Sequence, residues 1–412
     1  MSLFSAMRSG VSGLFAQSNR MAAISDNISN SGTVGYKRSD VDFSTMVTSQ
    51  ATDSSYVAGG VRSNVRYQIT SDGPIQGTQN ATDLAIAGRG FFVVSDQSQA
   101  TALGGEQSFS LTRAGSFLPD DRGFLRNSAG FYLQGWKLNS DGTLPAVSRE
   151  DFGSLETVNV GGLGYKGSAT TQVTFGANLP AQATAGSSFE TQMTIYDGLG
   201  SPLDLTLTWS PDGGGAPNTW DLAIAGPAGY AVTPAAIAGI EFHATGPDAG
   251  TPTVPIGDVT LVNGGDTVTL GFDGMTQYNG DYVPGRMDKD GAKAGQVSAV
   301  EVDDSGKLWA IFDNGARQAI YQVPVADVVN PNGLAPQDGN TYRLGADSGA
   351  MTLRDAGTGA AGNIAGAALE QSNVDIAQEL VSLIETQRAY SSSAKIVQTA
   401  DEMMEETTRL KR

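Results

Sequence analysis

The sequence predicts a mainly β protein, built of discontinuous antiparallel β domains, with N- and C-terminal α-helices that form a coiled-coil-like core on assembly. Three observations carry this. Apolar residues recur at helical spacing at both ends, they alternate with polar residues through the middle, and helix breakers are confined to that middle. None of the 53 glycines follows Gly366, and none of the 16 prolines precedes Pro74 or follows Pro336. Proline removes a helical hydrogen bond and clashes with the preceding turn, so its absence from both ends leaves them free to be helical.

At the N-terminus, Leu3, Met7, Val11, Leu14, Met21, Ile24 and Ile28 fall at steps of three, four or seven, which is one helix face. Asn27, Asn30 and Gly32 then supply helix-ending chemistry. At the C-terminus, Ile376, Leu380, Leu383, Tyr390, Ala394, Val397 and Met404 form a heptad-like stripe, broken at Gln387 and Asp401. Ser372, Asn373 and Asp375 offer a cap, and Arg409, Lys411 and Arg412 suit the far end of the dipole. A helix over 373–408 is roughly 54 Å long at 1.5 Å per residue.

Between the helices the period changes to two. Leu203, Leu205, Leu207 and Trp209 alternate with polar residues, as do Trp220, Leu222 and Ile224, then Val268, Leu270 and Phe272. Asp197-Gly198, Asp303-Asp304-Ser305-Gly306 and Asn314-Gly315 lie between such runs and read as hairpin turns. Ten of the prolines lie within 166–284, so that stretch reads as an inserted β domain. The expected organisation is a terminal helical core (1–30 and 370–412), a connector (31–71 and 355–369), a discontinuous inner β domain (72–165 and 285–354) and an outer β domain (166–284).

The helical stripes need partners, because isolated helices are marginal in water. Two helices share only one seam and leave their other faces wet, which makes further copies of the same protein the natural partners. The competing arrangement docks both ends on the β domain of one molecule. Against it stand the polar opposite faces and the lack of another helical segment to complete a bundle.

Composition excludes several functions. A net charge of −18 argues against a nucleic-acid surface, which needs clustered Lys and Arg. There is no cysteine and a single histidine, His243, so thiol chemistry is excluded and histidine-based catalysis or metal binding has almost nothing to work with. No apolar run approaches the length of a membrane span. The stretch MSLFSAMRSGVSGLFAQSNRM lacks the basic start and continuous apolar run of a cleavable signal, so any export takes another route.

Gly357-Thr358-Gly359-Ala360-Ala361-Gly362 spells G-x-G-x-x-G, but no parallel βαβ unit can follow it, and it reads as a connector. Asp288-Lys289-Asp290-Gly291 lacks the later ligands of a calcium loop and reads as a turn. No cofactor, metal or catalytic residue is expected. A secreted β-rich binding or adhesion protein would need a concave aromatic site, and Trp136, Trp209, Trp220 and Trp309 are dispersed. An enzyme would need a carboxylate pair that no stretch singles out.

The stretch ISDNISNSGTVGYKRSDVDF (24–43) carries Asn27, Ile28, Asn30, Thr33, Gly35, Tyr36, Lys37 and Arg38. Near the other end stand Leu369-Glu370, Ser372-Asn373-Val374-Asp375, Glu379-Leu380, Thr386-Gln387-Arg388-Ala389-Tyr390 and Thr399-Ala400-Asp401-Glu402. These two motifs, with GRGFFVVSD (88–96) and LTRAGSFLPDDRGFLRNSAGFYLQGW (111–136), resemble the axial rod and hook family of the bacterial flagellum. The resemblance is weakest over 166–284, the insertion that hook-type members carry and rod-type members lack.

The resemblance implies a structural subunit of the hook, outside the cell, which reaches it through the flagellar type III export apparatus without a cleaved signal. Such subunits build a bendable helical tube, a universal joint that transmits torque from rod to filament. Implied partners are further copies of the protein itself, the distal rod, the hook cap and the hook–filament junction proteins, with no nucleic acid and no membrane insertion. A distal-rod subunit is the nearest alternative, and length disfavours it. The resemblance assigns the stripes above to subunit packing, Met7, Val11, Leu14, Met21, Ile24 and Ile28 against Ile376, Leu380, Leu383, Tyr390, Ala394, Val397 and Met404. It assigns Asn27, Asn30, Thr33, Gly35, Tyr36, Lys37, Arg38, Asn373 and Asp375 to the family motifs beside the connector.

Overall fold

A computed structural model describes residues 3–46, 59–98, 107–212, 218–263 and 265–409. The N-terminal helix α1 spans Leu3–Ser29 and the C-terminal helix α2 spans Ile376–Arg409. Helix α2 starts three residues later than the spacing suggests. Asp375 is its cap, its Oδ1 accepting the N–H groups of Ala377 at 2.8 Å and Gln378 at 3.3 Å. Lys411 and Arg412 lie outside the described residues.

The two helices pack on each other, and small residues make the contact. Gly10, Ala16 and Ala23 are buried on α1, Thr386 and Ala400 on α2. A Cβ on Gly10 would lie 2.9 Å from Val397 Cγ2, and one on Gly13 would lie 3.2 Å from Ser393 Oγ. Glycine inside a helix costs about 1 kcal/mol relative to alanine, so these two trade local propensity for close approach. A hairpin of Ser39–Thr45 and Val61–Tyr67, with Val41 opposite Val65, runs along α1. Asn19 Nδ2 donates to Ser63 Oγ at 2.8 Å, and the Arg20 guanidinium lies 5.8 Å from the Phe43 ring centre.

The protein divides into two compact units. The first comprises residues 1–162, 300–309 and 319–412. In it, Phe92–Ser95 pairs with Phe109–Thr112 on one side and Tyr132–Lys137 on the other, all antiparallel. Three further ladders fasten the C-terminal third to earlier segments. Val325–Val328 pairs with Met351–Arg354, Leu84–Ala87 with Asn363–Gly366, and Ile75–Gly77 with Ala368–Glu370. Phe91, Val93, Leu111, Trp136 and Leu353 form the core between them.

The second unit comprises residues 163–299 and 310–318 and is a two-sheet sandwich. One sheet orders Phe189–Tyr196, Pro202–Pro211, Thr219–Ala225 and Ala236–Glu241, all antiparallel. The other is built around Gln172–Pro180 and Asp266–Gly271. Gln172–Pro180 runs parallel to Asp266–Gly271 and Thr276–Tyr278, segments so distant in sequence that no hairpin turn dictates direction. The alternating residues Leu205, Leu207, Trp209, Leu222, Val268 and Leu270 point into one core, where Trp209 meets Phe272 edge-on at 5.9 Å.

Residues 357–362 join two strands, Met351–Arg354 and Asn363–Gly366, with Gly357 and Gly359 at φ +73° and +63°. No helix starts there to receive a phosphate, so the motif is a turn. Asp288 and Lys289 end the strand Val283–Lys289, and Asp290, in the bend that follows, accepts the N–H groups of Thr171 at 2.8 Å and Gln172 at 3.0 Å from a distant segment.

Replacing Gly10 by valine inserts bulk against Val397, whose branched side chain has one favoured rotamer in a helix. Gly10→Val is expected to destabilise the first unit by about 1–3 kcal/mol. Denaturant unfolding followed by circular dichroism measures this, and an unchanged midpoint would refute the seam.

Candidate functional site

Three separate parts of the first unit meet at one buried ionic cluster. Lys37 comes from the segment after α1, Arg113 from the end of a central strand, and Glu370 from the strand before α2. Their side chains are 0%, 3% and 1% exposed. Lys37 Nζ lies 2.7 Å from Glu370 Oε1 and donates to Ser71 O at 2.7 Å. Arg113 Nη1 lies 2.9 Å from Glu370 Oε2, and its Nη2 donates to Gly88 O at 2.6 Å. The half-exposed Asp72 carboxylate adds a second negative charge, 3.4 Å from Arg113 Nη1 and 3.9 Å from Lys37 Nζ. The backbone N–H of Gly73 completes the Glu370 acceptor set at 2.9 Å.

Two positive groups therefore face two negative ones, with the buried carboxylate hydrogen-bonded on both oxygens. A buried charge is tolerable only when so matched. Burial alone would push the Glu370 carboxyl up, but Arg113 and Lys37 outweigh it and hold the group below its ordinary value.

The backbone path that delivers Lys37 is itself specified. Asn27, buried in the last turns of α1, donates to Ser39 O at 2.8 Å and accepts from Ser39 N at 2.9 Å, clamping the strand against the helix. Tyr36 OH donates to the same Asn27 oxygen at 3.2 Å. Gly35 adopts φ +67°, and a Cβ there would sit 2.5 Å from the Arg113 carbonyl carbon, so both conformation and space demand glycine. Gly35 N donates to Glu370 O at 2.7 Å. Asn30 and Thr33 hold the intervening turn, Asn30 Nδ2 donating to Asp26 O at 2.9 Å and Thr33 N to Asn30 O at 3.0 Å.

A second clamp stands beside the first. Arg38 Nε pairs with Glu379, a 1%-exposed side chain in the first turn of α2. Arg38 N donates to Asn373 Oδ1 at 2.7 Å, while Asn373 Nδ2 donates to Ser71 O at 3.0 Å and to Gln68 O at 3.3 Å. Asn373 is thus a bridge between segments, and Asp375 is the helix cap.

The expected motif residues Asn27, Asn30, Thr33, Gly35, Tyr36, Lys37, Arg38, Asn373 and Asp375 all lie at this junction. Sequence reasoning quoted Glu370, Glu379 and Arg113 within the family-like stretches but gave them no charge-pairing role, and passed over Asp72. Their signal was charge standing in stretches otherwise apolar or uncharged, such as FSLTRAG and GAALEQSN.

The expected packing stripe divides by exposure. Ile24 is buried, and Met7, Leu14, Met21, Ile28, Leu383, Ala394, Val397 and Met404 are half-buried. Val11, Ile376, Leu380 and Tyr390 are exposed. So are large side chains outside that stripe, with Phe4 at 68%, Phe15 at 69%, Val381 at 57%, Ile384 at 51%, Ile396 at 50% and Met403 at 58%. A cleft of about 710 Å³ beside the junction has a single carboxylate in its lining, Asp26, and no histidine. Among the described residues no helix is long and apolar enough to cross a membrane, and no group of acidic or histidine side chains is arranged to hold a metal.

Four family patterns match the sequence in order. Residues 7–37 match "Flagella basal body rod protein", 85–165 match "Flagellar hook protein FlgE/F/G D1 domain", 139–292 match "Flagellar basal body protein FlaE D2 domain", and 365–410 match "Flagellar basal body rod FlgEFG protein C-terminal". Flagellar hook protein FlgE of Rhizobium meliloti is 36% identical over the whole of both chains. The chain belongs to the flagellar hook protein family. Hook proteins of Brucella suis, at 35% over both full lengths, and Salmonella typhimurium, at 28% over 96% of this chain and 97% of that one, are similar throughout. A crystal structure of the Helicobacter pylori hook protein FlgE2 covers 70% of this chain at 15% identity, with a TM-score of 0.39.

The terminal family patterns end at Lys37 and begin at residue 365, so the cluster joins the two segments that hook and rod proteins share. Because Glu370 titrates below its ordinary value of 4.5 when folded, its stabilisation is complete above that pH and is lost as pH falls through the lower folded value. Glu370→Ala leaves Lys37 and Arg113 buried without their acceptor, and is expected to cost about 3–5 kcal/mol. Glu370→Gln is expected to flatten the acid limb of the stability curve. Denaturant titrations across pH 3–7 measure both effects; a Glu370→Ala loss near zero would dismiss the cluster as a structural keystone.

Proposed function

We propose that this hook-family protein polymerises into a bendable helical tube that transmits torque from rod to filament, with α1 and α2 as its inner core. Residues 1–30 and 370–412 form that core, and 31–71 with 355–369 connect it to the β domains. Residues 72–165 and 285–354, apart from 285–299 and 310–318, which cluster with the second unit, form an inner layer, and 166–284 an outer one. The subunit works outside the cell, delivered by the flagellar type III export apparatus without a cleaved signal. It meets the distal rod at one end of the tube and the hook cap, then the hook–filament junction proteins, at the other.

One observation supports the core assignment above all. The helices approach closely at Gly10 and Gly13 of α1 and leave Phe4, Phe15, Val381, Ile384 and Met403 more than half exposed. Each such side chain is worth about 1.5–3 kcal/mol when removed from water, and an isolated subunit leaves that unrealised. Identical subunits supply the missing surface, since one kind of subunit meeting itself head to tail builds a helical polymer.

Phe15 and Ile384 are 69% and 51% exposed, so the Phe15→Asp and Ile384→Asp monomers are expected to keep their circular dichroism and unfolding midpoint. Polymer formation, seen by electron microscopy and light scattering, is expected to fail. Tubes of normal appearance from both variants would overturn the core assignment.

A further inference from the structure

We propose that Asn279 in the second unit is a site of spontaneous deamidation, a slow modification that adds negative charge to that domain. Three Asn-Gly pairs lie wholly within the described residues, and the structure treats them differently. Asn314 is pinned, its Nδ2 donating to Lys166 O at 2.9 Å and Lys293 O at 2.6 Å while its Oδ1 accepts from Ala316 N at 2.9 Å. Asn332 accepts from Ile69 N at 3.2 Å, and Gly333 N donates to Asn330 O at 3.1 Å. Space around Gly333 is closed as well, since a Cβ there would sit 2.4 Å from Asp347 O.

Asn279 has none of these restraints. It is exposed, it lies in the irregular link between Thr276–Tyr278 and Val283–Lys289, and its side chain makes no hydrogen bond among the described residues. Among the described residues the N–H of Gly280 makes no hydrogen bond, and the one atom within 4 Å of a Cβ built on Gly280 is Asn178 Nδ2 at 3.9 Å. Glycine gives the backbone nitrogen an unhindered approach and the widest range of dihedral angles.

The chemistry balances without any agent beyond water. The Gly280 nitrogen, having given its proton to solvent base, bonds to Cγ of Asn279. The bond from Cγ to Nδ2 breaks and the amide nitrogen leaves as ammonia, giving a succinimide. Water then opens the ring at one of its two carbonyls, leaving aspartate or isoaspartate. The new carboxylate stands two residues from that of Asp281. Isoaspartate also lengthens the backbone between anchored points, because Tyr278 N donates to Asn178 Oδ1 at 2.9 Å and Gln182 Nε2 donates to Gly280 O at 2.9 Å.

The test ages the full-length protein at neutral and mildly alkaline pH and maps Asn→Asp conversion peptide by peptide by mass spectrometry. Of the three pairs, Asn279 is expected to convert fastest, exceeding Asn314 by roughly tenfold or more, since Asn314 must first break its hydrogen bonds. In denaturant the three rates are expected to converge. Gly280→Ala, which the open space around Gly280 accommodates, is expected to slow conversion at Asn279 with folding intact. The proposal is overturned if Asn314 or Asn332 converts as fast in the native protein, if Asn279 does not convert, or if Gly280→Ala leaves its rate unchanged. It is overturned equally if the native ranking persists unaltered in denaturant, because local sequence would then account for it.

Discussion

The contact between Lys37 and Glu370 closes a loop of 333 residues, and the organisation of the first unit depends on it. Neither charge could remain buried alone, so the N-terminal motif and the C-terminal strand must arrive together or not at all. Arg113 makes the condition stricter by contributing from a third segment, the central sheet. Salt bridges of this kind are poor sources of net stability, because desolvation consumes most of the attraction. What they supply is register. A strand displaced by one residue would turn Glu370 to the opposite face and leave two buried cations with only the half-exposed Asp72 carboxylate nearby.

That register governs where the helices begin. Asn27 and Ser39 fix the exit from α1, while Asn373, Asp375 and Glu379 fix the entry to α2, so both helices leave the same junction. Two helices constrained at one end need surfaces that let them close along their length. Gly10, Gly13 and Ala16 on one side and Ser393, Thr386 and Ala400 on the other supply such surfaces. Hydroxyls on α2 that would otherwise be costly in a seam return to their own helix, as Ser393 Oγ does to Ala389 O at 3.0 Å and Thr386 Oγ1 to Ser382 O at 2.7 Å.

Much of this was legible because it is periodic. Met7 to Ile28 and Ile376 to Met404 announced two helices, and Leu205, Leu207 and Trp209 announced a half-buried strand whose inward face the structure confirms. The turn chemistry of Asp197 was equally local, its Oδ1 accepting from Leu199 N at 2.9 Å and Ser201 N at 2.7 Å. The ionic cluster could not be read this way. Lys37, Arg113 and Glu370 carry no mutual spacing, and nothing local distinguishes a buried lysine from a solvated one. The helix seam was hidden for a different reason: hydropathy patterns weight bulk, and on the α1 side the residues closest to α2 are Gly10 and Gly13, which such a pattern passes over. The pattern therefore located the helices correctly and included Val397 on the facing side of α2, while missing the glycines it packs against.

The two kinds of contact differ in how they respond to displacement. Hydrogen-bonded charge pairs are directional, and a shift of an ångström or two forfeits most of their energy while the desolvation cost remains. Apolar contact is non-directional and scales with the area covered, so one bulky group can slide past another with little loss while water stays excluded. The junction at Lys37 and Glu370 spends the first kind inside the subunit. Phe4, Phe15, Ile384 and Met403 leave apolar area of the second kind exposed on its surface. On the core assignment proposed above, that allocation suits a polymer that must bend as it turns, each subunit being stiff where its own ends are joined and compliant where copies meet. The reverse arrangement, with charge pairs between copies and loose apolar contact within them, would lock the tube and soften its parts.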